Sequence, residues 1–208
     1  IKKPMGVALK GNGTWAKWTG ALSAKTDKQE LASLFLTATD GRYTAKGKIR
    51  PEYVVAPGMI QRITRGGVDV DINSTYKDNV IDGRFAFKSA ALSATATGVA
   101  SLKDRRFVGM NIDSRVAQPQ ALMTSMKGRD LRATLRLDGP FMAPRYSYRI
   151  TSPRMEFGRN ILNGVDVRGT GNWSAGTVQS IPMRARVASI TGNGEMADAL
   201  TRDVTVDG

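Results

Sequence analysis

Apolar and polar positions alternate with a period of two along much of the chain, and the run Asp130–Pro140 shows it most plainly. There Leu131, Ala133, Leu135 and Leu137 fall on one side, and Arg132, Thr134, Arg136 and Asp138 on the other. This is the period of a strand buried on one face only. The same texture recurs at Tyr146/Tyr148/Ile150 and Val165/Val167. Strands are predicted near 5–9, 13–18, 20–25, 43–49, 59–64, 67–72, 83–88, 91–97, 107–112, 131–138, 145–151, 164–170 and 183–190. Most are short and bounded by Gly, Asn, Asp or Pro.

Two segments read as helical. Asp27 can cap a helix running to Thr37, with Glu30 three residues on and Leu31, Leu34 and Phe35 on one face. Leu34, Leu36 and Ala38 also alternate, so a strand over Leu31–Ala38 stays open. The second runs from Pro119 to Met126, with Pro in the first turn and Leu122, Met123 and Met126 on one side, ending at Gly128. Asp82-Gly83, Asp138-Gly139, Asn163-Gly164 and Asn193-Gly194 read as hairpin corners, because the favoured two-residue turn needs positive φ. Gly11-Asn12-Gly13 reads as a hairpin turn too, since no Gly-Lys-Ser/Thr follows to make a phosphate loop. The expected fold is mainly β: a curled antiparallel sheet forming an elongated groove, with one or two short helices. Residues 1–208 form a single segment, with a sub-boundary near 51–57 where Pro, Val and Gly replace the Lys-rich pattern.

Composition sharpens this picture. The apolar fraction is 41% but leans on Ala and Val, and aromatics are only 7%. A thin core or an open groove follows more naturally than a thick globular centre. Ala86, Ala91, Ala94, Ala96 and Ala133 on the candidate inner faces would leave room for a guest. The absence of Cys and His removes thiol nucleophiles, imidazole acid–base chemistry, Cys or His metal sites and disulfides. Neither a cofactor nor a metal is expected, and no catalytic residue is assigned.

Net charge is +13. Residues 1–100 carry ten Lys and five Arg against eight acids, and the remainder two Lys and fourteen Arg against ten acids. The excess is spread evenly, whereas nucleic-acid proteins concentrate it in a stripe with interleaved aromatics. No nucleic-acid partner is expected, and an even basic film suits solubility or anionic head groups. Asp69 and Asp71 point the same way, as do Arg184 and Arg186, and both pairs read as solvated strand faces. Phe141, Tyr146, Tyr148 and Phe157 make the only local aromatic cluster. Trp15, Trp18 and Trp173 would serve a carbohydrate-binding β-sandwich if they lay flat and exposed, but no paired carboxylates accompany them. No run approaches the roughly 18 apolar residues of a membrane-spanning helix. Opening on Ile1 and stopping at Asp207-Gly208, the chain reads as an interior piece of something longer, with any anchor outside it.

The run Ile81-Asp82-Gly83-Arg84-Phe85-Ala86-Phe87, the run Leu135 to Pro144, the stretch Tyr146 to Ser152 and the stretch Gly164 to Gly171 share one cadence. That cadence resembles the AsmA-like/TamB superfamily of bacterial envelope proteins, and most closely its YdbH-type members. The resemblance covers about half of the chain and implies a taco-shaped β-groove with an apolar interior. It would be the periplasmic segment of an inner-membrane-anchored protein that moves phospholipid between the inner and outer membranes. The implied partners are phospholipid acyl chains, with inner- and outer-membrane proteins at the ends of the full-length chain. The family brings no catalytic residues, so the groove lining would be Phe85, Phe87, Leu131, Ala133, Leu135, Leu137, Tyr146, Tyr148, Ile150, Val165 and Val167. An envelope scaffold for outer-membrane protein assembly, as in the TamB branch, is the first alternative.

Overall fold

In a computed structural model of the chain, residues 4–14, 16–26, 28–173, 181–193 and 202–207 are described. They form fourteen strands: β1 (Met5–Gly13), β2 (Lys17–Thr26), β3 (Glu30–Thr39), β4 (Arg42–Ile49), β5 (Val68–Lys77), β6 (Val80–Lys88), β7 (Leu92–Ser101), β8 (Arg106–Val116), β9 (Met126–Arg129), β10 (Leu131–Pro140), β11 (Arg145–Phe157), β12 (Asn160–Asn172), β13 (Arg184–Gly192) and β14 (Arg202–Asp207). All belong to one antiparallel sheet that is not closed into a barrel. Each strand pairs with the next in sequence, except that β8 pairs with β10 and β9 pairs with the far half of β11. The sheet runs unbroken past residues 51–57, since β4 and β5 pair along their full length.

The turns explain the meander. Asp40-Gly41 and Asp78-Asn79 are two-residue loops with positive φ at both positions, the geometry that matches the twist of a tight hairpin. Three predicted corners lie elsewhere. Asp82-Gly83 sits inside β6, and Asp138-Gly139 and Asn163-Gly164 sit inside β10 and β12. Gly139, with φ of 100°, marks a register shift, and Gly164 has φ of 63° where the alternation of buried positions slips. A residue that tolerates positive φ can relieve a bulge as readily as it closes a turn. Gly194 lies outside the described residues, so the fourth corner is not placed. Gly11–Gly13 belongs to β1 and the turn follows it, closed by the Thr14 amide donating to the Lys17 carbonyl at 2.8 Å. The two strands predicted over 13–18 and 20–25 are accordingly the single strand β2.

Both helical readings give way to strand pairing. Residues 30–39 are β3, held between β2 and β4, where tertiary pairing outweighs the local helical pattern. The predicted cap, Asp27, lies outside the described residues. Pro119–Ala121 is a 3-10 turn and Met126 opens β9. Leu122 and Met126 are drawn instead onto the buried residues Val116, Leu131, Met155 and Val165, the main core cluster. Conversely, residues 59–64, predicted as a strand, form the one α-helix among the described residues, α1 (Met59–Thr64). It stops where Gly66 and Gly67 take positive φ.

Arg62 of α1 ties two distant connectors together. Its Nε donates to the Ala121 carbonyl at 3.1 Å and its Nη2 to the Leu122 carbonyl at 3.2 Å. The segment between β4 and β5 is thereby fastened to the one between β8 and β10. Charged donors to carbonyls contribute about 1.5–3 kcal/mol each when partly buried, and a side-chain truncation lets water replace part of that. Arg62→Ala is expected to lower unfolding free energy by about 1–3 kcal/mol in urea titration.

Candidate functional site: an uncharged sheet face

In an antiparallel pair, residues directly opposite project from the same side of the sheet. The registers therefore assign every strand position to one of two faces. Following Leu135 towards β1 gives Ile112 on β8, Ala96 on β7, Phe85 on β6, Ile72 on β5, Ala45 on β4, Leu36 on β3, Gly20 on β2 and Gly11 on β1. Towards β14 the same row reaches Tyr148 and Gly169. The neighbouring rows carry Val70, Phe87, Ala94, Ser114, Ala133, Ile150, Val167, Ala185 and Val206. Among the described side chains no Lys, Arg, Asp or Glu occupies this face. Its polar groups are a few hydroxyls and amides, such as Ser74, Ser114, Ser152 and Asn160, together with the tyrosine hydroxyls.

The charges sit on the opposite face, where they pair. Lys46 and Lys48 meet Asp71 and Asp69, placing both aspartates in ion pairs on a solvated surface as the alternation predicted. Arg149 grips Asp166 with two nitrogens at 3.1 and 2.6 Å, Arg145 meets Asp138 at 3.0 Å and Arg184 meets Asp207 at 2.8 Å. Asp130, in the left-handed conformation between β9 and β10, is held by Arg132 and Arg115. These contacts lower three carboxyls below their ordinary pKa: Asp166 through the Arg149 hydrogen bonds, Asp138 through Arg145 and the Gly109 amide, and Asp130 through Arg132 and Arg115. A depressed folded-state pKa stabilises the fold above the unfolded value and ceases to do so as pH falls through the folded one. Stability is therefore expected to be flat near neutrality and to fall below about pH 4. Chemical denaturation at stepped pH checks this, and a fall beginning near pH 6 would contradict it.

The uncharged face is a single layer and only partly covered. At the connector end, Leu122 and Met126 pack over Val116, Leu131, Met155 and Val165. Beyond that end the apolar side chains stay half-exposed, and Met5, Val7 and Leu9 of β1 are 59%, 59% and 58% exposed. A cavity of about 710 Å³ opens on this face among Leu9, Trp18, Leu36, Ala38, Tyr43 and Ile72. Trp18 lies against Gly11 and Gly20, whose missing side chains make room for its indole. Tyr146 and Tyr148 lie in the same way against Gly171 and Gly169, 6.4 Å apart and stacked.

The pairings put all eleven predicted lining residues on this one face: Phe85, Phe87, Leu131, Ala133, Leu135, Leu137, Tyr146, Tyr148, Ile150, Val165 and Val167. Three details differ. Ala86 is on the charged side, opposite Asp71 and Thr95, and Ala91 is buried in the turn before β7. The expected aromatic cluster is split, with Phe141 against Phe107 at 4.7 Å and Phe157 in the connector-end core. The lining read from the sequence begins at Phe85 and leaves out the β1–β5 half of the face, from Leu9 to Ile72; in β3 helical spacing also masks the alternation. Trp18 is half-buried, Trp173 is 53% exposed at the end of β12, and Trp15 lies outside the described residues. A carbohydrate-binding sandwich loses its architecture, since this is one sheet rather than two. Among the described residues no helix is long and apolar enough to cross a membrane, and no three acidic side chains gather into a metal-holding group.

No family model, no curated protein and no solved structure matches the chain.

Proposed function

We propose that the uncharged face is a lipid-carrying floor, and that the chain is a non-catalytic segment of a protein conducting phospholipid between the inner and outer membranes of an envelope. One observation carries this reading: across thirteen consecutive strands no described charged side chain stands on that face, while the opposite face is laced with ion pairs. A path for acyl chains must be free of charge along its length, because an unpaired charge in an apolar setting costs several kcal/mol. Each methylene laid on the floor gains about 0.8 kcal/mol, and head groups can remain in water at the open margin. The abundant Ala and Gly positions leave depth for chains between the larger side chains. The resemblance of the chain's cadence to the AsmA-like/TamB superfamily supports the same reading. On that reading the segment lies in the periplasm, with membrane proteins at the ends of the full-length chain.

Native mass spectrometry of the purified protein exposed to short-chain phosphatidylglycerol tests it. Discrete adducts of whole lipid masses are expected, surviving mild activation. A protein that stays free of lipid at every concentration below micelle formation would refute the proposal.

A second reading is favoured by the free side of β1. Among the described residues β1 pairs with β2 alone, and Met5, Val7 and Leu9 extend the apolar face to that margin. An extended segment of an outer-membrane client could add there as a further strand. Cross-linking from β1 positions to client peptide, without lipid adducts, would favour this scaffold role.

A further inference from the structure

Among the described residues, like-charged arginines face one another at three places on the charged side, and at two of them an acid sits alongside: Arg115 and Arg132 share Asp130, and Arg154, opposite Arg129, pairs with Glu156. Like charges directly opposite one another destabilise neighbouring strands, yet Arg149, Arg168 and Arg184 stand in one cross-strand row on β11, β12 and β13. Arg149 leans to Asp166 and Arg184 to Asp207, which leaves Arg168 between them, among the described residues, with only a longer-range attraction to Asp166. Arg136, one strand away on β10, makes no hydrogen bond or ion pair among the described residues. All four arginines line one cavity of about 880 Å³, together with the donors Asn111, Thr134, Ser147 and Thr170 and the carboxylates Asp113 and Asp207.

We infer that this cavity is a binding site for a phosphate-bearing anion, with Arg168 and Arg136 as its principal ligands. Guanidinium groups match phosphate oxygens two at a time, and hydroxyl and amide donors on the flanking strands complete such a shell. The paired carboxylates hold Arg149 and Arg184 to the sides, and Asp113 borders the far end of the row beyond Thr134. Local sequence–structure conflicts of this kind gather where binding offsets them. The invoked arginines stand on the charged face, although Ile112, Leu135 and Tyr148 of the floor row also border the cavity.

The test is thermal unfolding and calorimetric titration of the protein with pyrophosphate. Wild type is expected to bind and to melt higher in its presence. Arg168→Thr is expected to melt no lower than wild type without the anion, because a like-charge contact is removed, and to bind at least tenfold more weakly. Arg168→Lys, which keeps the charge but loses the fork, is expected to fall between them. Arg84→Thr, on the same face opposite Asn73 and Thr97, is expected to respond as wild type. An unchanged response in Arg168→Thr, or an equal loss in Arg84→Thr, would overturn the site in favour of a diffuse basic film. Dihexanoyl phosphatidate in place of pyrophosphate identifies the source. Binding at least tenfold tighter than pyrophosphate assigns a lipid head group, similar affinity assigns a free phosphate, and both support the site. Failure of both probes refutes it.

Discussion

Leu135→Asp is expected to strip phospholipid from the protein, while Thr97→Asp leaves occupancy unchanged. Leu135 sits mid-floor between Ile112 and Tyr148, on the uncharged face and away from the covered connector end. A carboxylate there has no cation on its own face to meet and stays charged at neutral pH. An acyl chain would have to cover it or detour around it, and covering it costs several kcal/mol. Since about 1.4 kcal/mol is a factor of ten, occupancy should fall at least tenfold. Thr97 lies on the other face between Arg84 and Asn111, so the same substitution there adds a charge where charges already pair. Native mass spectrometry of both variants, with circular dichroism to show that each is folded, decides the matter. Equal losses would mean that the faces are wrongly assigned or that lipid lies elsewhere.

Gly47→Val is expected to destabilise the fold by about 3 kcal/mol or more. Gly47 has φ of 151° in β4, opposite Leu34 and Val70, and an added Cβ would run into the Ser33 carbonyl oxygen and crowd Leu34 Cα at 2.9 Å. Both obstacles are backbone, so the clash cannot be relieved by turning a side chain. The strand would have to part from β3 near the middle of the β1–β5 half. Gly6→Val is the matched comparison: the nearest atom to a Cβ there is the Lys25 carbonyl oxygen at 3.9 Å, on a strand paired on one side. It is expected to change stability by about 0.5 kcal/mol or less. Urea unfolding of the two variants side by side measures the difference, and comparable values would show that Gly47 is not under the constraint its backbone implies.

The clean period of two makes the mainly β fold and half of the floor legible in the amino-acid sequence. From β6 onwards, Phe85, Leu135, Tyr148 and Val167 alternate with charged or hydroxyl residues, so face and neighbour can be inferred together. In β3 the same chemistry is ambiguous, because Leu31, Leu34 and Phe35 also fit a helix and only pairing with β2 and β4 settles it. α1 goes the other way. Its six residues are too few for periodicity to separate helix from strand, and the deciding signal is the Gly66-Gly67 stop after it. Asp-Gly and Asn-Gly pairs mark positive φ, which the sheet uses for bulges at Gly139 and Gly164 as well as for turns. The arginine row is invisible in the sequence for a different reason: Arg149, Arg168 and Arg184 lie far apart along the chain and become neighbours only through strand register. The single open sheet, by contrast, is legible, because the thin, Ala-rich apolar composition favours an open layer over a thick packed core.

A photo-crosslinking phenylalanine analogue placed at positions on both faces of β6, β10 and β11 in cells reads out directly which face carries lipid. Phe85, Leu135 and Tyr148 sample the uncharged face, and Arg84, Arg132 and Thr151, clear of the arginine-lined cavity, the charged one. Ultraviolet irradiation followed by lipid analysis is predicted to yield phospholipid adducts at the first three positions and none at the second three. Adducts on both faces alike, or on neither, would contradict a lipid-carrying floor.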